Sequence, residues 1–287
     1  MKDPLPPLRE VVASLGLSAR KSLGQNFLFD FNITRKIARA VPELAASTVM
    51  EIGPGPGGLT RALLMEGAKR VIAIEKDERF KPALEAIGAA FPGRFAPIYG
   101  DALEMDDGAV LGWAPGRVHI AANLPYNVAT PLLAKWLGAE PWPPFFRSAT
   151  VMVQKEVAHR LAAKSGTKAF GRLAVLCQWW AVPKILFSIP PQAFVPRPKV
   201  TSSVVHIVPA SPCVERLTGP ALSAFTAVLF GQRRKTLKNV LGKKFAGAAG
   251  ILERENINAG LRPEALSVAE IARLAKAFSG SLRSSAS

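Results

Sequence analysis

The alternation of short apolar runs with amphipathic segments is the feature that most constrains the fold of this chain. Five runs of four to six residues have the composition of buried strands, and helical patterns lie between several of them. Strands that alternate with helices at this spacing predict βαβ units and a mostly parallel, doubly wound sheet. The predicted strands are Val49–Ile52, Val71–Ile74, Phe95–Tyr99, Val118–Ala122 and Ala149–Gln154, and the predicted helices are Leu59 to about Glu66, Phe80–Ala90 and Thr130–Leu137.

The rest of the chain predicts two closing strands, further helices and a small helical part. β-Branched residues favour strands at Lys184–Ile189 and Ser202–Val208, which brings the sheet to seven strands. We expect an N-terminal arm (1–30), an α/β domain (31–209) that ends in a Pro-containing linker, and a small C-terminal all-helical domain (210–287). The remaining predicted helices are Leu8–Leu15, Leu173–Trp180, Ala221–Leu229, Arg233–Leu241 and Val268–Phe278.

Basic residues outnumber acidic ones by 37 to 21, which gives a formal net charge of +16. Hydrophobic residues make up 49% of the chain, so this surplus does not belong to a disordered basic tail. Two segments concentrate it: 155–199, where Glu156 is the only acid, and Arg233–Lys244, which has none. Such clusters predict a nucleic-acid partner. The candidate phosphate contacts are Arg233, Arg234, Lys235 and Lys238.

Several protein classes are excluded by composition. No stretch reaches the about 20 apolar residues that a membrane span needs, and the N-terminus lacks the apolar core of a signal peptide. Two cysteines cannot form a disulfide framework or a cysteine zinc site. The three histidines lack metal-ligand spacing. We therefore expect a cytoplasmic protein without a metal ion or a membrane partner.

A glycine-rich loop, Glu51-Ile-Gly53-Pro-Gly55-Pro-Gly57-Gly58, follows the first strand and precedes a helix. Glycines at such a turn let the backbone approach a nucleotide-type ligand closely. The spacing is G-x-G-x-G-G, which differs from the G-x-G-x-x-G of dinucleotide enzymes, and the Lys-Ser/Thr pair of a P-loop is missing. A dinucleotide oxidoreductase remains an alternative at this point.

Two acids follow the next strands. Glu75 ends the second strand, 22 residues after Gly53, where a carboxylate can accept hydrogen bonds from ribose hydroxyls. Asp101 follows the third strand and is placed to accept a bond from an adenine amino group. With the glycine loop they favour a cofactor with an adenosine but no pyrophosphate, a description that S-adenosyl-L-methionine fits.

The tetrapeptide Asn123-Leu124-Pro125-Tyr126 directly follows the fourth strand. An adenine amine is a poor nucleophile, and a site that uses one must support it as it becomes tetrahedral. The Asn123 side-chain oxygen and the Leu124 carbonyl can each accept one amine hydrogen, Pro125 stiffens the turn, and Tyr126 offers a ring for stacking. This element predicts methyl transfer to an adenine.

The chain resembles the rRNA adenine N6,N6-dimethyltransferases, specifically the small-subunit branch. The resemblance extends over nearly the whole chain through motifs in order: 21–28, the 51–60 loop, 100–106, 123–126, 154–157, 171–173, 194–200 and 230–235. It implies a class I methyltransferase fold and S-adenosylmethionine as cofactor. It also implies dimethylation of two adjacent adenosines in the hairpin near the 3′ end of small-subunit (16S) rRNA, within an immature small ribosomal subunit.

The resemblance also implies residue roles. Asn26 and Leu28 would contact the cofactor, Gly53 and Gly55 would line its methionine part, and Asn123 would bridge cofactor and target. Phe194 would be the second aromatic ring against the flipped adenine, although the residue alone favours core packing. We expect a monomer.

Two alternatives share these motifs: a large-subunit rRNA methyltransferase of the macrolide-resistance type, and a non-catalytic assembly or transcription factor on the same scaffold. The Pro-rich segment 194–200 and the run 232–235 favour the small-subunit branch. An intact Asn123–Tyr126 argues against loss of catalysis.

Overall fold

The computed structural model describes residues 3–112, 118–138, 144–211, 214 and 217–283. By their internal contacts these residues form two units. An α/β unit contains the described residues up to 158 and those of 184–209, and a helical unit contains those of 159–183 and 210–283.

The α/β unit is built on a sheet of seven strands: β2 (Thr48–Ile52), β3 (Arg70–Glu75), β4 (Phe95–Tyr99), β5 (Val118–Asn123), β6 (Ser148–Gln154), β7 (Ala181–Ile189) and β9 (Ser202–Pro209). Their order in the sheet is β4-β3-β2-β5-β6-β9-β7. β2 is parallel to β3 and β5, β4 is parallel to β3, β6 is parallel to β5, and β9 is antiparallel to β6. The carboxyl ends of β2 to β5 therefore share one edge, where loops can build a site.

A second, two-stranded antiparallel sheet joins β1 (Phe27–Leu28) to β8 (Phe194–Val195). Phe27 lies opposite Val195 and Leu28 opposite Phe194. This pairing fixes the N-terminal arm on the α/β unit.

The helices of this part of the chain are α1 (Leu8–Ser14), α2 (Phe31–Ala38), α3 (Gly58–Met65), α4 (Lys81–Ala90), α5 (Asp107–Leu111), α6 (Ala129–Leu137) and α7 (Lys155–Leu161), the last of which has only its residues 155–158 in the α/β unit. Amphipathic helices cover the sheet because their apolar faces bury against it, as Leu59, Leu63 and Leu64 of α3 do. Asp30 caps α2 by accepting hydrogen bonds from the amides of Asn32 and Ile33.

The helical unit has its own aromatic core. The rings of Phe225, Phe245 and Phe278 lie together, with centroids 4.6 to 6.3 Å apart. Ser267 and Glu270 form a reciprocal capping box at the start of the last helix. The helices are α8 (Arg172–Trp180), α9 (Gly219–Gly231), α10 (Leu237–Gly242), α11 (Ala248–Arg254) and α12 (Val268–Arg283). No helix in the described part of the chain has the length and apolarity needed to cross a bilayer.

The structure confirms the α/β architecture, the mostly parallel sheet and its seven strands, but it contradicts two of the predictions made from the sequence. The segment 159–183 was expected in the α/β domain and belongs to the helical unit, because α8 packs against α9 and α12. The helix predicted from Arg233 begins only at Leu237. Residues 232–235 form a turn instead, in which the Lys235 amide donates to the Gln232 carbonyl.

Candidate active site

A cavity of about 240 Å³ opens at the carboxyl edge of β2 to β5, beneath the N-terminal arm. All seven residues predicted to bind the cofactor line it, namely Asn26, Leu28, Gly53, Gly55, Glu75, Asp101 and Asn123. The other residues predicted to hold the target base line it too: Leu124, Pro125, Tyr126 and Phe194. The structure therefore brings every predicted catalytic and cofactor residue to one place, while their individual roles stay predictions.

The glycine loop between β2 and α3 depends on backbone conformations that side chains disfavour. Gly53, Gly55 and Gly57 have φ angles of +66°, +54° and +90°. A Cβ at Gly57 would lie 2.2 Å from the Cδ1 atom of Ile87, so the end of that side chain would have to shift to make room. A Cβ at Gly53 would meet nothing within 4 Å. The cavity is thus open beside Gly53, where a ligand can approach the backbone.

Glu75, at the end of the neighbouring strand β3, holds the glycine loop by a hydrogen bond. One carboxyl oxygen accepts from the Gly55 amide at 2.9 Å and the other from the Asp77 amide at 2.7 Å. Burial raises the pKa of Glu75 above its usual range, since the side chain has little access to water. Each oxygen keeps a further lone pair, so this carboxyl can still accept from a bound ribose.

Glu51, at the end of β2, is a second buried carboxyl on the cavity wall, and the sequence analysis assigned it no role. The Thr60 hydroxyl donates to it at 2.6 Å, and burial raises its pKa to about 8. A bound ligand that carries positive charge would favour the ionised forms of these two buried carboxyl groups. S-adenosylmethionine carries an ammonium group that donates hydrogen bonds and a positively charged sulfonium group, so it fits these buried acceptors.

Asp101 already has partners in this structure. One oxygen accepts from the Lys76 ammonium at 2.6 Å and the other from the Leu103 amide at 2.9 Å. These bonds hold the pKa of Asp101 below its usual value, with Lys76 the main cause. The carboxylate is fixed in its ionised form, which is the form that accepts from an adenine amino group.

The N-terminal arm is attached to this edge by Gln25, a contact that the sequence pattern did not reveal. The Gln25 amide donates to Asp77 at 3.0 Å, and the Arg79 guanidinium donates to both oxygens of the same carboxylate. Arg79 is the main reason that the pKa of Asp77 falls to about 2. Since the Asp77 amide donates to Glu75, one short network joins the arm to the predicted ribose site.

Asn123 is oriented by the arm. Its amide nitrogen faces the Asn26 carbonyl at 3.4 Å, a long contact, and a carbonyl only accepts hydrogen bonds. The amide oxygen is therefore left for a ligand. The Leu124 amide donates to the Met152 carbonyl at 3.2 Å, while no group within the described residues donates to the Leu124 carbonyl. Two acceptor oxygens are thus free where the sequence predicts an amine.

Two aromatic residues border these acceptors. The Tyr126 hydroxyl is hydrogen-bonded at 2.8 Å to Ser202, a fully buried residue at the start of β9. This bond fixes the phenol end and with it the ring. Phe194 is only 3% exposed and packs in the core of the α/β unit while lining the cavity. It combines the core packing that the residue alone favours with the position that the resemblance implies.

The predicted phosphate contacts lie in the helical unit, and all four residues are exposed. Arg233 differs from the others because its guanidinium donates to the carbonyls of Lys168 and Phe170 at 3.0 and 2.6 Å. Part of its hydrogen-bonding capacity is therefore used inside the unit. Arg234, Lys235 and Lys238 make no side-chain bond to the described residues.

Comparisons with known proteins identify the family of this chain. The model of the family described as ribosomal RNA adenine dimethylase matches residues 16–279. The small-subunit rRNA methyltransferase A of Chelativorans sp. is 53% identical over 96% of this chain and 98% of its own length. Its counterpart from Xanthobacter autotrophicus is 52% identical over 96% of this chain and 95% of its own.

Solved structures support the fold. A dimethyladenosine transferase from Plasmodium falciparum superposes with a TM-score of 0.72 at 24% identity, over 87% of this chain and 96% of that one. The 23S rRNA methyltransferase ErmE gives a TM-score of 0.67 at 22% identity, over 88% of this chain and 98% of its own. These findings confirm the predicted class I methyltransferase fold and the enzyme class, and the chain belongs to the ribosomal RNA adenine dimethylase family.

Proposed function

We propose that this protein transfers methyl groups from S-adenosylmethionine to the N6 amines of two adjacent adenosines in the 3′-terminal hairpin of small-subunit rRNA. The support for the small subunit is the set of relatives about 52% identical over nearly the full length, which are small-subunit rRNA methyltransferases. The observation that carries the chemistry is the pair of free acceptor oxygens on Asn123 and Leu124 beside Tyr126.

The residues of the cavity bind the cofactor and hold the target amine in this proposal. Glu75 accepts from the ribose and Asp101 from the adenine of the cofactor, while Gly53 and Gly55 leave room for its methionine part. S-adenosylmethionine supplies an electrophilic methyl group on sulfur. Asn123 and Leu124 accept the two hydrogens of the target amine and support it as it becomes tetrahedral.

The target adenine must leave the RNA stack, because stacked neighbours block an in-line approach of its amine. Tyr126 and Phe194 provide ring surfaces for the extracted base. Tyr126 is held by Ser202 at the hydroxyl, so the ring does not have to be ordered when the base arrives. Repeated transfer at one amine then requires that a monomethylated product be released or re-aimed.

Recruitment of the RNA rests on the basic helical unit. Arg234, Lys235 and Lys238 contact phosphates, and Arg233 does so with the part of its guanidinium that the carbonyls leave free. Such contacts fix orientation but carry no sequence information. In this proposal the enzyme is a cytoplasmic monomer that acts on an immature small ribosomal subunit.

A direct comparison of substrates tests the assignment. Immature small subunits and large-subunit rRNA would be incubated side by side with the protein and labelled S-adenosylmethionine, and their nucleosides analysed by mass spectrometry. We expect dimethyladenosine at two adjacent positions of the small-subunit RNA alone. Label confined to the large-subunit RNA would move the protein to the macrolide-resistance type, and binding without any label would favour the assembly-factor alternative.

A further inference from the structure

Lys135, on α6, makes an unusual set of contacts for a lysine outside the cavity. Its ammonium donates to the Ala102 carbonyl at 2.7 Å, to the Met105 carbonyl at 2.5 Å and to the Asp107 carboxylate at 3.1 Å. An ammonium has three N–H donors, and here all three have an acceptor. The side chain is 28% exposed, so these bonds form in a partly desolvated setting.

The three acceptors belong to one short segment, 101–107 (the 101–107 loop), which follows β4 and ends at Asp107, the first residue of α5. At its start, Asp101 accepts from the amides of Leu103, Glu104 and Met105 through its carboxylate and its carbonyl. At its end, Lys135 joins Met105 and Asp107. Hydrogen bonds to its own first residue, Asp101, and from the Lys135 side chain of α6 therefore hold the loop in place.

The cavity uses this loop but does not include Lys135. Asp101, Ala102 and Leu103 line the cavity, on the wall that the proposed function assigns to the adenine of the cofactor. The helix that carries Lys135 also lines the cavity through Leu132, and it starts just after the Asn123–Tyr126 segment. Lys135 thus connects the cavity wall assigned to the adenine with the helix that follows the Asn123–Tyr126 segment.

We propose that Lys135 is a positioning residue for cofactor binding, which holds the 101–107 loop so that Asp101 and its neighbours fit the adenine. The proposal rests on the assignment of Asp101 to the adenine in the proposed function. Lys135 touches neither cofactor nor target in this account. Its effect therefore falls on cofactor affinity and adenine selectivity, and turnover at saturating cofactor stays unchanged.

The test replaces Lys135 with Met, which keeps most of the length of the side chain and removes all three hydrogen bonds. We expect the Kd for S-adenosylmethionine to rise about 10- to 100-fold, because a charged donor is removed from partly buried acceptors. The single-turnover rate at saturating cofactor should stay within about twofold. Lys135→Arg, which can donate to the same carbonyls, should restore most of the affinity.

Selectivity supplies a readout that a general loss of stability would not move. The probe is the cofactor analogue in which a carbonyl replaces the adenine 6-amino group, measured by calorimetry beside the cofactor itself. Wild type should prefer the amino form, since Asp101 only accepts hydrogen bonds. In Lys135→Met this preference should fall.

Arg94→Met is the matched control. The Arg94 guanidinium likewise donates to backbone carbonyls, those of Leu64 and Ala68, but it precedes β4 at the opposite edge of the sheet. The Arg94→Met variant should have a lower melting temperature than wild type but the same preference for the 6-amino form of the cofactor. Unchanged affinity and selectivity in a folded Lys135→Met, or the same loss of selectivity in Arg94→Met, would overturn the proposal. A failure of the proposed function is distinguishable, because the wild-type protein itself would then fail to bind S-adenosylmethionine or to methylate RNA.

Discussion

The charged groups at the cavity edge of the α/β unit differ in burial and hydrogen bonding from those of the turn 232–235 in the helical unit, the basic turn. At the cavity, Glu51, Glu75 and Asp101 each have identified hydrogen-bond partners, and Glu51 and Glu75 are almost completely buried. In the turn, Arg234 and Lys235 are exposed and their side chains have no bonding partner within the described residues. In the proposed function, the fixed groups of the cavity serve the reaction, and the exposed charges of the turn serve the recruitment of RNA. The difference teaches that a group with its partners in place suits chemistry, whereas a group without one suits binding.

The largest effect should come from Asn123→Ala. It removes the amide oxygen that, in the proposed function, accepts from the target amine, and we expect the single-turnover methylation rate to fall at least roughly 10²-fold. Asn123→Asp keeps acceptor oxygens at this position and should retain more activity than the alanine variant. The rates would be measured by mass spectrometry on immature small subunits. Equal activities of wild type and Asn123→Ala would contradict the role of this residue.

The next largest effect should come from Glu75→Gln, and it should fall on the affinity for the cofactor. The substitution removes the charge and one of the two acceptors that serve Gly55 and Asp77, so the Kd for S-adenosylmethionine should rise about tenfold to a hundredfold. Calorimetry without RNA measures this directly. Glu104→Gln, which neutralises an exposed acid near the same edge, is the control and should bind like wild type. A Kd unchanged in Glu75→Gln would remove the carboxylate from the cofactor site.

Neutralising the basic turn should give a smaller effect of a different kind. Arg234→Ala with Lys235→Ala should weaken RNA binding roughly tenfold, since an exposed ion pair is worth at most about 1 kcal/mol. The slope of log K against log salt should become shallower by ~0.7 to 0.9 for each lost phosphate contact. Lys69→Ala with Arg70→Ala removes the same charge from exposed residues of the α/β unit. If both pairs weaken binding equally, only net charge matters and the turn has no special role.

A separate prediction concerns the stability of the fold and its dependence on pH. Burial raises the folded pKa of Glu51 to about 8, against an ordinary value of 4.5, so the folded state binds the proton more tightly than the unfolded state. Its contribution to stability is complete below about pH 4.5 and is lost as pH rises through 8. Glu51→Gln does not ionise, and its melting temperature relative to wild type should therefore rise between pH 5 and 9. Glu10→Gln, at an exposed position, should show no such trend; a flat difference for Glu51→Gln would contradict the raised pKa.

Much of the α/β unit was predictable because its strands are short apolar runs with clear ends. The predicted Phe95–Tyr99 matches β4 in both bounds, and the residues that follow β2 to β5 lie together because parallel strands share one edge. This geometry also explains why the predicted cofactor residues converge. The role of Phe194 was predictable only through the family resemblance, since an aromatic residue in an apolar strand favours core packing by itself. The assignment to the small-subunit branch likewise depended on the resemblance.

The parts that the sequence did not reveal depend on contacts between distant residues. Nothing local to Gln25 or Lys135 indicates that one would bind Asp77 and the other a loop about 30 residues earlier. The helix predicted from Arg233 is wrong in its start because the carbonyls of Lys168 and Phe170 hold that arginine in a turn. The grouping of 159–183 with the helical unit likewise follows from tertiary packing, which periodicity does not encode.

The central claim, that the chemistry and the recruitment reside in separate regions, is tested most directly by one measurement. RNA affinity and single-turnover rate at saturating RNA would be determined on the same immature small subunits for Asn123→Ala and for the Arg234→Ala, Lys235→Ala pair. The account predicts that the first variant loses rate and keeps its affinity, and that the second loses affinity and keeps its rate. It would be contradicted if Asn123→Ala lost affinity as strongly as rate, or if the basic-turn variant stayed slow at saturation.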